Sequence, residues 1–217
     1  MNAMILGAGR GERMRPLTDQ VPKPLVAVRG KPLIEHLIEA LVRGGTTDIV
    51  INIAYRGDQI RQRLGCGRRF GARLRYSDEG AVGLETGGGI VRAMPLLDSD
   101  PFLVVNGDIY TDYPFTVLPA AIAGLAHLVL VDNPPEHPDG DFGLRGSHVV
   151  HEAPRLTFAG IGLYRKSLFA HPPGERFALG PLLRETIDKG LVTGEHYRGD
   201  WTDVGTPQRL AALNAGA

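Results

Sequence analysis

Cysteine, tryptophan and net charge are what this chain has least of. Cys66 is its one cysteine, so no internal disulfide can form, and between Gly65 and Gly67, without His or Cys neighbours, it reads as a loop thiol. Lysine plus arginine balances aspartate plus glutamate at 24 each, so no global field draws the protein to nucleic acid or a membrane surface. No apolar run approaches the roughly 18 residues of a membrane span, and Ala3–Leu6 is too short for a signal peptide. A cytoplasmic protein that partners neither nucleic acid nor membrane is expected. No repeat, low-complexity tract or clear linker divides the 217 residues, which read as one domain over 1–217 with enough apolar content, 43%, to bury a core.

Two common phosphate motifs are missing as well. A dinucleotide fingerprint would need a glycine where Met14 stands and an acidic residue about 20 positions on, where Val28-Arg29-Gly30-Lys31 runs instead. A P-loop would close on Gly-Lys-Ser/Thr, and Arg13-Met14-Arg15 does not supply it.

What is present at the amino end is an apolar run, Ala3-Met4-Ile5-Leu6, opening into Gly7-Ala8-Gly9-Arg10-Gly11 and followed by Pro22-Lys23-Pro24. A buried strand that ends in alternating glycines exposes backbone N–H groups to a ligand. Arg10, Arg13, Arg15 and Lys23 add four cations against Glu12 and Asp19, which is the chemistry of a phosphate cradle. The competing reading is an ordinary strand-to-helix turn with solvated arginines.

Leu33, Ile34, Leu37, Ile38, Leu41 and Val42 recur at helical spacing and stop at Gly44-Gly45. Asp48–Ala54 has the β-branched density of a second strand, Gln59–Leu64 suits a short helix, and Arg73–Ser77 alternates as a half-buried strand. Strand, helix, strand implies parallel pairing with a right-handed crossover. Gly87-Gly88-Gly89 opens a helix carrying Val91, Met94 and Leu97. Three glycines there require a close approach, by a ligand or by another part of the chain.

Pro101–Val105 is a buried strand ending in Asn106-Gly107-Asp108. Ligand crevices of parallel sheets lie at carboxyl ends of strands, so Asp108 is placed for a hard cation, although such an aspartate can equally cap a helix or form an Asx turn. Leu125–Val131 is another strand, Asp132–Gly146 reads as a loop over the site, and Leu156–Tyr164 is a strand with interior glycines. Leu179–Lys189 reads as a helix, and Trp201-Thr202-Asp203 places a second aspartate before a last short helix with Leu210 and Leu213.

Together these stretches resemble the sugar-1-phosphate nucleotidylyltransferases. The resemblance is carried by four ordered blocks: Leu6–Pro24, Leu84-Glu85-Thr86-Gly87-Gly88, Asn106-Gly107-Asp108 and Trp201-Thr202-Asp203-Val204-Gly205-Thr206. Within that family, Leu84–Gly89, Gly194-Glu195-His196-Tyr197-Arg198-Gly199 and the compact length resemble a uridylyltransferase branch serving cell-wall recycling.

The resemblance implies an α/β, Rossmann-like (GT-A-like) nucleotidyltransferase fold, a mixed, mostly parallel sheet flanked by helices. It implies UTP and a sugar-1-phosphate as partners, Mg²⁺ as cofactor, and a monomer or weak homo-oligomer. By matching position, Arg13, Lys23, Asp108 and Asp203 would be catalytic, with Asp108 and Asp203 sharing the metal. Ala8, Gly9, Gly11, Glu12, Arg13, Lys23, Thr86, Gly87 and Gly88 would bind the nucleotide. Asn106, Asp141, Gly143 and Gly160 would face the sugar phosphate.

The chain departs from the family pattern at Gly7, where alanine is usual, and at Phe158, where asparagine is common. A Glu-Lys-Pro block is replaced by Glu152-Ala153-Pro154-Arg155, and no β-helix repeats follow. Hexose or heptose phosphates with GTP or dTTP, and a catalytically silent nucleotide-sugar sensor, are the alternative readings.

Overall fold

The computed structural model describes residues 1–216. The chain begins with strand β1 (Ala3–Leu6) and a hairpin of β2 (Ala27–Val28) and β3 (Lys31–Pro32), then helix α1 (Leu33–Arg43) and strand β4 (Asp48–Ile53). Helix α2 (Gly57–Leu64), strand β5 (Arg73–Asp78), helix α3 (Glu85–Ala93) and strand β6 (Phe102–Asn106) follow. The second half holds β7 (Ile109–Thr111), β8 (Ala126–Val131), β9 (Phe142–Arg145), β10 (His148–Val150) and β11 (Arg155–Tyr164). Helix α4 (Leu179–Asp188), strands β12 (Val192–Tyr197) and β13 (Trp201–Asp203) and helix α5 (Pro207–Ala215) complete it.

Nine strands make one sheet in the order β5-β4-β1-β6-β11-β8-β12-β10-β9. β10 and β11 run against the other seven, so the sheet is mixed with most strands pointing one way. Strand residues alternate between two cores, as a sheet covered on both faces requires. Ile5, Ile49, Ile51, Leu103 and Val105 pack with Leu37, Ile38 and Leu41 of α1. Met4, Val50, Phe102 and Val104 pack with Ile90 of α3 and Leu183 of α4 on the opposite face.

After β1 the chain steps outward through β4 to β5, then returns to place β6 on the other flank of β1. That reversal leaves an open crevice at the carboxyl ends of β1 and β6, because the connections leave in opposite directions there. A third, smaller core of Met14, Val26, Val28, Leu33, Val204 and Leu210 fastens the early loop to the carboxyl-terminal segment.

Two expectations change in detail. The loop expected over 132–146 ends at Asp141, because Phe142 buries its ring in the second core and Phe142–Arg145 pairs with β10 across the Gly146 turn. Along the α3 segment the inward face is Ile90, Ala93 and Leu97, with Val91 and Met94 only partly buried.

Candidate active site

A cleft of about 820 Å³ lies over the carboxyl ends of β5, β4, β1 and β6. The glycine-arginine loop forms its floor: Ala8, Gly9, Gly11, Glu12, Arg13 and Lys23 all line it. Gly11 sits at φ +67°, and a Cβ there would come within 3.0 Å of both Lys23 Cβ and Thr18 Cγ2. Only glycine tolerates that combination of backbone and crowding. The Thr18 hydroxyl donates to the Gly11 carbonyl at 2.8 Å, and the fully buried Met14 anchors the loop from below. Gly7, where the family usually has alanine, is pinned by its N–H, which donates to Asn52 Oδ1 at 2.7 Å. Arg15 leaves the expected cradle: it pairs with Asp19 at 2.7 Å on the surface and is 56% exposed.

The acidic end of the cleft is built by strand termini. Gly107 lets β6 close against β1, for a Cβ there would lie 2.3 Å from the Leu6 carbonyl. Asp108 then leads into β7, which pairs with β13 so that Ile109 faces Asp203, and Val204 N–H donates to the Asp108 carbonyl at 2.7 Å. Residues 108 and 203, almost a hundred apart in sequence, are thus brought onto one two-stranded ribbon; Asp108 lines the cleft, whereas Asp203 is not among its lining residues, although the nearby Gly205 is. Asp108 is neither a cap nor an Asx turn: Oδ2 takes the Lys23 ammonium at 2.6 Å, and Lys23 is only 9% exposed.

Asp203 Oδ1 accepts from the Arg209 guanidinium, which also holds Glu136 at 2.6 Å. The other Asp203 oxygen lies where a Cβ on Gly205 would approach to 2.9 Å, so glycine there leaves it uncovered. Each carboxylate is an all-oxygen donor with one oxygen in an ion pair. Carboxylate oxygens are the donors a hard divalent cation takes, but among the described residues no group of three or more metal-ligating side chains gathers, so phosphate oxygens and water would have to complete the coordination.

Other expected contacts are rearranged. Thr86 lines the cleft, but Gly87 and Gly88 do not. Their N–H groups both donate to the Phe177 carbonyl, at 2.9 and 3.2 Å, and a Cβ on either would come within 2.2 Å of the Phe177 ring or the Glu175 carbonyl. The close approach expected at this glycine run is made by the chain itself. Asn106 lines the cleft, whereas Asp141, Gly143 and Gly160 do not. Asp141 Oδ2 accepts from Phe158 N–H at 2.8 Å, and Gly143 faces the Glu152 carbonyl. Gly160, at φ +72°, makes room for the Asn106 side chain, so it supports a lining residue without being one. Arg155 stays outside the cleft, its Nε donating to the His151 carbonyl at 2.7 Å.

Four cleft residues or supports were not singled out from the sequence. Asn52 links Gly7 to Glu79, whose Oε1 accepts from Asn52 Nδ2 at 2.6 Å while Oε2 accepts from Leu84 N–H at 2.6 Å. Arg176 enters the cleft from the segment before α4, and Arg209 reaches Asp203 from α5. Asn52 and Glu79 could have been found, since each lies at the carboxyl end of a strand of the parallel half, Asn52 one residue before the end of β4 and Glu79 one residue after β5. Arg176 and Arg209 carry no sequence signal among 20 arginines.

Known proteins give a consistent picture. A sequence profile described as Nucleotidyl transferase matches residues 2–148. The chain is 49% identical to an N-acetylmuramate alpha-1-phosphate uridylyltransferase of Neisseria meningitidis serogroup B, covering 99% of this chain and 97% of that protein. It is 34% identical to a protein of the same name from Caulobacter vibrioides, covering 98% and 95%. In architecture it is similar to HddC from Yersinia pseudotuberculosis, solved in complex with GMP-PN, with a TM-score of 0.81 at 20% identity over 99% of this chain and 98% of that one. Among the described residues no helix is long and apolar enough to cross a membrane.

Proposed function

The chain belongs to the nucleotidyl transferase family, and from that premise we propose that it transfers the uridylyl group of UTP to N-acetylmuramic acid α-1-phosphate. The products are UDP-N-acetylmuramic acid and pyrophosphate, a step of peptidoglycan recycling. The observation that carries the reaction class is the meeting of Arg13, Lys23 and Asp108 in one cleft, with Asp203 on the strand paired to the one that follows Asp108. The likeness to the Neisseria enzyme over nearly the whole of both chains supports the acceptor and the base.

A sugar-1-phosphate oxygen attacks the α-phosphorus in line, and the O–P bond to pyrophosphate breaks. No side chain is needed as general base, because a phosphate monoester loses its second proton at about pH 6 and is largely dianionic at neutral pH. The barrier is the meeting of two polyanions, so positioning and charge neutralisation do the catalytic work. Lys23 holds the α-phosphate and Arg13 the departing pyrophosphate. The Gly9–Arg13 N–H groups cradle the triphosphate, Ala8, Gly9 and Thr86 border the nucleoside, and Asn106 faces the sugar phosphate. Asp108 and Asp203 would hold Mg²⁺, which supplies charge neutralisation on the triphosphate. A triphosphate oxygen can replace Asp108 as the partner of Lys23, which keeps the buried ammonium satisfied throughout.

The test is pyrophosphate release for four nucleoside triphosphates against a panel of sugar-1-phosphates. Turnover with UTP and N-acetylmuramic acid 1-phosphate is expected to exceed every other pair. A hexose phosphate with GTP or dTTP as the best pair would replace this assignment. Nucleotide binding without pyrophosphate release from any pair would mark a sensor.

A further inference from the structure

We propose that Glu85 and Arg176 form a side-chain pair that reads the N–H/C=O edge of the nucleobase, selecting uracil over cytosine. The inference deepens the reading above and rests on it for the placement of the nucleotide. The phosphate-binding side chains gather at the β1–β6 end of the cleft, which leaves the β4–β5 end for the nucleoside. Two carboxylates stand at that end. Glu79 has both oxygens engaged, by Asn52 Nδ2 and by Leu84 N–H, and is 8% exposed. Glu85 is 44% exposed, lines the cleft, and touches only the Arg176 guanidinium, with Oε1 3.4 Å from Nε. It is therefore the carboxylate with acceptor capacity left for a ligand.

The backbone around the pair is fixed at both ends. Glu85 adopts φ +62°, a conformation unfavourable for a side-chain-bearing residue that persists where surroundings impose it. Arg176 lies on a strap, residues 175–179, stitched to the turn before α3. Phe177 N–H donates to the Leu84 carbonyl at 3.2 Å, Gly87 and Gly88 N–H donate back to the Phe177 carbonyl, and Leu179 N–H donates to Thr86 Oγ1 at 2.8 Å. The glycine run is what lets this strap sit flat against α3, and the strap is what delivers Arg176 to the cleft. Val82, apolar and 62% exposed at the same end, offers a surface for a flat ring.

An exposed ion pair of this kind contributes little to stability, so its partners are free to exchange for ligand atoms. A carboxylate accepts and a guanidinium donates. Uracil presents an N–H donor at N3 beside the O4 acceptor, which matches that pair. Cytosine presents a ring-nitrogen acceptor beside an amino donor, so with the pair in the order that suits uracil both of its groups are mismatched. Uncompensated polar contacts of this sort separate ligands by factors of ten or more.

The experiment is calorimetric titration of UTP and CTP, with Mg²⁺ present, into the full chain and three variants. The unaltered chain is expected to prefer UTP. Glu85→Ala and Arg176→Ala are each expected to lose about ten-fold or more in UTP affinity, with CTP changed by about two-fold or less. Glu85→Gln, whose amide can also donate to the cytosine ring nitrogen, is expected to move preference toward CTP. Both side chains are exposed, so melting temperatures should stay unchanged and show that the strap is intact. A UTP-to-CTP affinity ratio in the alanine variants equal to that of the unaltered chain, or no UTP preference to begin with, overturns the assignment. Absent turnover on N-acetylmuramic acid 1-phosphate, with the UTP preference present and lost in the variants, would remove the acceptor and support the pair.

Discussion

Lys23 is a buried ammonium whose partner is a carboxylate one-third exposed, and this asymmetry governs what each residue does when removed. Asp108→Ala is expected to lower kcat by about 10²-fold or more, the usual cost of losing a contact made to developing charge, with pyrophosphate release as the measurement. Lys23→Ala removes the buried charge itself and is expected to lower kcat more than it weakens UTP binding; an unchanged kcat with a raised KM would make it a uniform binding contact. Glu35 on α1 shows the stability side of the same physics. Burial works to raise its pKa, but hydrogen bonds from Arg63 and Arg69, at 2.7 and 2.6 Å, together with their charges outweigh burial and hold it below its ordinary value. A lowered folded-state pKa gives stability that is present above the unfolded value and is lost as pH falls through the folded one. Melting temperature is therefore expected to drop as pH is lowered below about 4. Glu35→Gln should flatten that slope while lowering stability at neutral pH.

Glycine runs were the least decisive elements to read, and Gly87-Gly88-Gly89 shows why. Missing side chains announce that something comes close without saying what. Here α3 receives the strap, with Phe177 against Gly87 and Glu175 against Gly88, while Gly89 faces the Glu79 carboxylate. Gly88→Ala would set a methyl 2.2 Å from the Glu175 carbonyl, a backbone atom that cannot rotate away. Overpacking of this kind costs about 1–3 kcal/mol. In a chain of this size that corresponds to a fall of about 2–10 °C in melting temperature, and displacement of Arg176 should raise the KM for UTP in the same variant. The β7–β13 ribbon is the contrasting case. Its strands are three residues each, too short to read from alternation, yet their register sets Asp203 opposite Ile109, the residue after Asp108.

At the scale of the molecule, the cleft is lined by segments from residue 6 to residue 205, so a nucleotide bound there would tie distant parts of the chain to one another. UTP with Mg²⁺ at about a hundred times its Kd is expected to add about 2.7 kcal/mol of stability, seen as a rise of about 5–10 °C in a thermal melt. A chelator, or Asp203→Ala, should shrink that rise if the aspartates carry the cation. The alternation of Ile5 with Met4 and of Val105 with Val104 put the parallel half within reach of sequence reasoning. The cationic loop and the placement of Asp108 just past the end of β6 were legible for the same reason, because local composition dictates strand, turn and charge; the strand that carries Asp203 was not. Register and long-range docking lay beyond it. That Arg15 turns to Asp19, that Arg209 meets Asp203, and that the glycine run receives residues 175–177 depend on which distant surfaces meet. Only the closed three-dimensional packing brings those surfaces together.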